Sequence, residues 1–180
     1  MVGDSGCGKT TLAKLALGLY TPCSGTIRTF GIEHFRNEYK NTRKYIGVVL
    51  QDDQLFRGSI IDNITFFSSQ CDLDWAYECA KLAQLNHDIE RFPMGYQTLI
   101  GEIGGTLSGG QKQRLLLARA LYKKPKFLIL DESSSHLDIK NEIKINQTLR
   151  QLGLPILMIA HRPETIALAD RVIELPAGPV

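Results

Sequence analysis

"MVGDSGCGKTTL", residues 1–12, carries the pattern Gly-x-x-x-x-Gly-Lys-Thr from Gly3 to Thr10, and its reading decides the fold. Glycines let a backbone curl around an anion without Cβ clashes. The run Gly3, Asp4, Ser5, Gly6, Cys7 and Gly8 can therefore turn its N–H groups onto a phosphate. Lys9 adds a positive charge that reaches the outer phosphates, Thr10 offers a hydroxyl to Mg²⁺, and Thr11 carries the motif into a helix whose positive end points the same way. Such a loop normally follows a buried strand that aims it. Here only Met1 and Val2 precede it.

Working outward, Leu12, Leu15, Ala16 and Leu19 recur at helical spacing and predict a helix over 10–20. Thr21, Pro22, Ser24 and Gly25 form a turn cluster. "TIRTFGI" alternates as a short strand, and "YIGVVL" (45–50) is an apolar run suited to a buried one. Leu73, Ala76, Ala80, Ala83 and Leu85 predict a helix over 73–87 with Asp72 or Asp74 as N-cap, broken off at Pro93-Met94-Gly95. A helix follows Ser108 and ends before Pro125. "FLIL" (127–130), a helix over 139–152, "ILMIA" (156–160), the short helix "PETIALA" and a last strand "RVIEL" (171–175) complete the chain. Strands alternate with helices at both ends around a more helical middle. That predicts an α/β fold with a mainly parallel sheet and a helical insertion at roughly 52–122.

The 180 residues suit one domain with a proper core, and 43% hydrophobic with 22% charged residues is ordinary for a globular protein. A net charge of +2, with scattered lysines and arginines, gives no reason to expect nucleic acid as a partner. Cys7, Cys23, Cys71 and Cys79 lack the spacing of a zinc site or a disulfide framework, so free thiols are expected. Cys7 stands inside the phosphate loop, where a thiol-directed reagent would block it. No apolar run reaches the roughly 18 residues a membrane helix needs.

Two further stretches carry chemistry. A phosphate site that holds a metal wants a carboxylate at the end of a neighbouring strand, and "FLILDE" supplies Asp131. Glu132 next to it is placed to polarise an attacking water, since phosphoryl transfer needs positioning and charge more than covalent chemistry. "LSGGQ", Leu107, Ser108, Gly109, Gly110 and Gln111, opens a helix with bare N–H groups and makes a second anion site. One nucleotide needs one phosphate loop, so the second site is read as serving a nucleotide held by another copy of the domain.

With these residues in hand, the chain resembles the nucleotide-binding domain of the ATP-binding cassette family over nearly its whole length. The loop at Gly3–Thr11 resembles the Walker A motif, Gln51 the Q-loop, "LSGGQ" the signature and "FLILDE" Walker B. "SHLD" (Ser135–Asp138) resembles the D-loop, and His161 in "IAHR" the switch histidine. The resemblance implies a P-loop NTPase core sheet with a helical subdomain, and ATP and Mg²⁺ as ligands. Thr10, Gln51 and Asp131 would hold the metal, Glu132 would be the catalytic carboxylate, His161 would touch the γ-phosphate, and Asp138 would line the shared site. Two such domains would stack head to tail.

"QLFRGSIIDNI" (54–64) and "TLIGEIGGTLSGGQ" (98–111) resemble exporters with fused membrane domains, in which Gln51 and the Glu102 region lie against the membrane part. More narrowly, these stretches resemble bacterial colicin V-type bacteriocin exporters. That branch implies a peptide cargo with a double-glycine leader, a transmembrane domain fused N-terminally, and a place at the cytoplasmic face of the inner membrane. The family's adenine-stacking aromatic and the strand leading into the loop are absent. The chain is therefore expected to be a piece of a longer polypeptide that binds nucleotide weakly and with little base selectivity. His136 stands where the family usually has a small residue. An inactive remnant and a non-transport cassette ATPase are the alternatives; the latter's DNA-acting members carry a long coiled coil that no heptads here suggest.

Overall fold

The apolar runs at 45–50, 127–130 and 156–160 form three parallel strands in a computed structural model that describes residues 1–4, 6–33, 42–101, 107–131 and 139–176. In chain order the elements are α1 (Lys9–Ala16), β1 (Arg28–Thr29), β2 (Ile32–Glu33), β3 (Ile46–Val49), β4 (Gly58–Ser59), α2 (Ile60–Thr65), α3 (Leu73–Leu82) and α4 (Asn86–Glu90). A 3₁₀ turn at Gly95–Gln97 then leads to β5 (Leu99–Ile100), α5 (Gly109–Tyr122), β6 (Phe127–Asp131), α6 (Ile139–Gln151), β7 (Ile156–Ile159) and α7 (Pro163–Ala167).

Strand β6 is central, with β3 on one side and β7 on the other, both parallel to it. Both faces of this sheet are covered, which is why its strands read as continuous apolar runs. Side chains alternate along β6. Leu128 and Leu130 enter a core shared with Leu115 and Leu121 of α5 and Leu149 of α6. Ile129 enters a second core with Ala13 of α1, Leu17, Ile46 and Ile159. The fold is α/β, as the alternation of elements predicts.

Met1 and Val2 extend the sheet beyond β7. Ala160 N–H donates to the Met1 carbonyl, Val2 N–H to Ile173 (2.9 Å), and Leu175 N–H to Val2 (2.9 Å). The strand expected at 171–175 is therefore reduced to one parallel bridge, Val2 to Glu174. A ladder needs residues on both sides, and here Val2 alone faces it.

Three other expectations are corrected. Helix α1 stops at Ala16, and Gly18 beyond it has φ of 64°. Its buried stripe is Lys9, Ala13 and Leu17, whereas Leu12 is 41% and Leu19 52% exposed. "TIRTFGI" is a hairpin, β1 paired antiparallel with β2, turning at Phe30 and Gly31. The helix expected over 73–87 is two helices, α3 and α4, parted at Gln84, whose φ is 55°. Asp72 is the N-cap of the first, its carboxylate accepting from Trp75 N–H at 2.9 Å.

Between β3 and β6 the chain runs through α2–α5 and the small antiparallel pair β4–β5. Ser59 and Asp62 form a capping box at the start of α2. The Ser59 hydroxyl, and then its backbone N–H, donate to the Asp62 carboxylate and hold its pKa below the usual range. Cys79, on the inner side of α3, is buried, and burial pushes its thiol up to about 12, so it packs as an inert apolar group.

Asn63 is fully buried and staples the turn that precedes α2. It accepts from Phe56 N–H at 2.9 Å and donates to the Phe56 and Ser59 carbonyls at 3.0 Å each. Asn63→Ala takes the side-chain partner from both backbone groups of Phe56 and one bond from the Ser59 carbonyl, and should cost about 2–4 kcal/mol, read as a lowered midpoint in urea unfolding of the chain. A loss below about 1 kcal/mol would mean that water replaces the staple at little cost.

Candidate nucleotide site

The phosphate loop is shaped by two glycines that no other residue could replace without strain. Gly8, the residue before α1, has φ of 97° and lets the chain enter the helix with its first N–H groups facing the loop. Gly3 has φ of 148°, and a Cβ there would meet Cys7 Sγ at 2.8 Å and the Leu175 carbonyl at 2.9 Å. Its loop is thus pressed against the segment that flanks Val2. Gly3→Ala must displace the loop or bend that segment, a strain of about 1–3 kcal/mol. Nucleotide affinity should fall roughly 10- to 100-fold, measurable by titration calorimetry with ADP; unchanged affinity would show that the loop tolerates the shift.

Lys9 is 7% exposed and curls back into its own loop. Its ammonium donates to the Gly3 carbonyl at 2.8 Å and the Asp4 carbonyl at 2.7 Å, and lies 3.8 Å from Cys7 Sγ. One buried cation thereby closes the loop into a ring. Cys7 is half-buried inside it. At the far end of α1, Arg43 donates to the carbonyls of Leu17 and Gly18, a favourable pairing with the negative helix end.

The sheet brings the scattered candidates to one edge. In an open parallel sheet, ligands bind outside the carboxyl ends of the strands. Gln51 lies two residues beyond β3, Asp131 ends β6, His161 lies two residues beyond β7, and Gly3 follows Val2. Gln51 is exposed in a tight turn that Asp53 closes, its carboxylate accepting from Leu50 N–H at 2.9 Å. Asp131 is 1% exposed. His161 is exposed, and its neighbour Arg162 is clamped to α6: Arg162 Nη1 donates to buried Glu142 at 2.6 Å, while Thr165 donates to the other Glu142 oxygen. Glu142, Arg162 and Thr165 are residues that sequence reasoning passed over.

The donor set at this edge is a hydroxyl (Thr10), an amide oxygen (Gln51) and a carboxylate (Asp131), all hard oxygens suited to Mg²⁺. No three His, Cys, Asp or Glu side chains cluster as a metal centre among the described residues. A magnesium held here would take its remaining ligands from phosphate oxygens and water, as that ion commonly does. The residues present therefore fit it.

Ser108 caps α5. Its Oγ accepts from Gln111 N–H at 3.2 Å, and the Gln111 Oε1 accepts from Ser108 N–H at 2.9 Å. The side chains of Ser108 and Gln111 bond within this cap and to Asp88 on α4, and Leu107 is half-buried beside them. Farther along α5, Lys112 donates to the Gln54 side chain and Arg119 to the Gln54 carbonyl, both at 2.9 Å. The helix is thus tied to the segment that follows Gln51. Ser5, Glu102, Glu132, Ser135, His136 and Asp138 lie outside the described residues.

Comparison with known proteins bears on this arrangement. The family model described as "ABC transporter" matches residues 1–135. The chain is 45% identical over 175 residues to the colicin V secretion/processing ATP-binding protein CvaB of Escherichia coli, covering 97% of this chain and 25% of that protein. It is 40% identical over 182 residues to the alpha-hemolysin translocation ATP-binding protein HlyB of Escherichia coli, covering all of this chain and 26% of that protein. Among solved structures, a bacterial Atm1-family ABC exporter with ATP bound superposes with a TM-score of 0.91 at 37% identity, over 98% of this chain and 31% of that one. The chain spans about a quarter of the length of these curated relatives.

Proposed function

The chain belongs to the ABC transporter family, and from that premise we propose that it binds and hydrolyses ATP as the motor domain of an exporter. The observation that carries this is the shared sheet edge. A glycine loop closed around Lys9, the buried carboxylate of Asp131, and Gln51 and His161 all sit at the carboxyl ends of parallel strands. Loop N–H groups, Lys9 and the start of α1 hold the phosphates. Thr10, Gln51 and Asp131 hold magnesium, which neutralises charge on the phosphate oxygens. Glu132 orients a water for in-line attack on the terminal phosphorus, and His161 contacts the γ-phosphate.

Two copies close head to tail, so that Ser108, Gly109 and Gly110 of one cap the nucleotide of the other. Asp138 lies between the two sites. Support for a partner comes from the exposed cap of α5, whose Gly109 and Gly110 N–H groups meet no acceptor among the described residues. The membrane part docks on the face that carries Phe56, Phe66 and Phe67, each about half exposed; Phe56 and Phe66 lie against the Arg119 guanidinium, and Phe67 packs edge-on against Phe56. Such a patch of aromatic surface suits a protein partner. No helix among the described residues is long and apolar enough to cross a membrane; in this reading the transmembrane helices are carried by a membrane domain fused ahead of this one. The domain then works at the cytoplasmic face of the inner membrane.

The cargo is a peptide with a double-glycine leader, supported by the 45% identity to the colicin V secretion protein. The test is phosphate release by the intact protein in proteoliposomes, with and without such a peptide. Stimulation by the peptide and its accumulation across the membrane are expected. Stimulation by DNA or ribosomes in its place would move the domain to the non-transport branch.

A further inference from the structure

The amide of Gln111 faces two ways. Its Oε1 accepts from Ser108 N–H at 2.9 Å, and its Nε2 donates to Asp88 Oδ1 at 3.0 Å. The other Asp88 oxygen accepts from Arg114 Nη1 at 2.7 Å. Arg114 is itself buried and anchored on the carbonyls of Gln84 and Gly110. An ionised carboxylate can only accept hydrogen bonds, so Asp88 dictates which end of the Gln111 amide turns toward it. The NH₂ end faces α4, and the carbonyl end is left to face Ser108.

That choice sets the chemistry of Ser108. Its backbone N–H is taken by Oε1, and its Oγ accepts from Gln111 N–H. With that lone pair engaged inside the helix, the O–H proton is left free to point to the exposed side. The cap therefore presents a hydroxyl donor together with the N–H groups of Gly109 and Gly110. With the amide flipped, the NH₂ group would confront Ser108 N–H, the cap would open, and the hydroxyl would lose its direction.

We propose that Asp88 is a positioning residue for closure over ATP: by orienting Gln111 it aims the Ser108 hydroxyl at the terminal phosphate held by a second copy of the domain. This rests on the head-to-tail reading above. Asp88 stands 20 residues before Ser108, on a separate helix, and acts through Gln111 rather than on the nucleotide.

The test uses the intact protein and compares KM for ATP, kcat and ADP affinity across five variants. Asp88→Asn should raise KM about tenfold, equivalent to about 1.4 kcal/mol. It should leave kcat within about threefold and ADP affinity, which reports the phosphate loop alone, within about twofold. Gln111→Glu sets two carboxylates about 3.0 Å apart and should raise KM at least as much. Combining Asp88→Asn with Gln111→Glu should restore KM to within about threefold of the parent. The amide introduced at position 88 then donates to the carboxylate introduced at 111, which still caps Ser108. Ser108→Ala and Asp88→Ala complete the set, and both should raise KM. A double variant as impaired as its components would overturn the proposal and reduce Asp88 to a packing role. So would an unchanged KM in Asp88→Asn while Ser108→Ala raises it, and the head-to-tail reading would then stand alone. An unchanged KM in Ser108→Ala would bring down that reading, and this inference with it.

Discussion

Replacing Lys9 with alanine in the intact protein should lower ATP hydrolysis at least about 100-fold, through nucleotide affinity. Two losses combine. The ammonium proposed to meet the outer phosphates is gone, and a hydrogen bond to a charged group is worth about 1.5–3 kcal/mol. The same ammonium also bridges the Gly3 and Asp4 carbonyls. Without it those carbonyls lose their shared donor, and the loop loses the brace that holds its N–H groups in register. Lys9→Arg should fare little better, because a flat guanidinium cannot take the place of a compact ammonium between two carbonyls. Lys14→Ala is the control. It removes the same charge from the same helix, but Lys14 lies out over the Tyr20 ring, 5.8 Å from its centre. Its affinity for ATP should stay within about twofold. A comparable loss from Lys14→Ala would mean that the site senses net charge rather than a placed donor.

The burial of Lys9 also explains where the sequence misleads. Helical spacing picks out Leu12, Leu15, Ala16 and Leu19 as the inner face of α1, yet the helix turns Lys9, Ala13 and Leu17 inward. The loop fixes where Lys9 points, and residues four apart on the same helix follow it. A requirement of the site outranks the larger apolar side chains. The split between α3 and α4 is hidden for a different reason. Ala83 and Leu85 are both buried across the break, so apolar content continues through a residue with positive φ. The strands β3, β6 and β7 were legible because burial on both faces leaves an unbroken apolar run that nothing else of that length imitates well.

The candidate residues stand out by type and spacing, and the sheet places Gln51, Asp131, His161 and the loop at one edge. Their supports do not. Asp88 and Arg114 lie 26 residues apart, and Glu142 and Arg162 lie 20 apart. Each is an ordinary charged residue, three of them on helices and Arg162 just before one, until folding pairs it. One signal was available: Ser-x-x-Gln at 108–111 is a capping-box pattern. It points to a side chain, Gln111, whose remaining amide group must find a partner elsewhere.

Glu132→Gln in the intact protein should leave ATP binding within about threefold and reduce hydrolysis about 10²- to 10⁴-fold, the range lost with a general base. Glutamine keeps the length and polarity of the side chain, so the phosphate loop, Lys9 and Asp131 can still assemble around the nucleotide. It cannot take a proton from the attacking water. In the proposed cycle hydrolysis reopens the pair, so the variant should accumulate closed dimers with ATP trapped inside, visible by gel filtration and by release of unhydrolysed ATP on denaturation. Asp131→Asn separates the two neighbouring carboxylates. Asp131 is buried at the strand end, and removing its charge should weaken the proposed metal site, so binding and hydrolysis should fall together. The two variants sort the pair by role: one carboxylate needed to hold the nucleotide, the next needed only to break it. Undiminished turnover in Glu132→Gln would reject the second role, since a side chain unable to accept a proton would then be performing the chemistry assigned to a base.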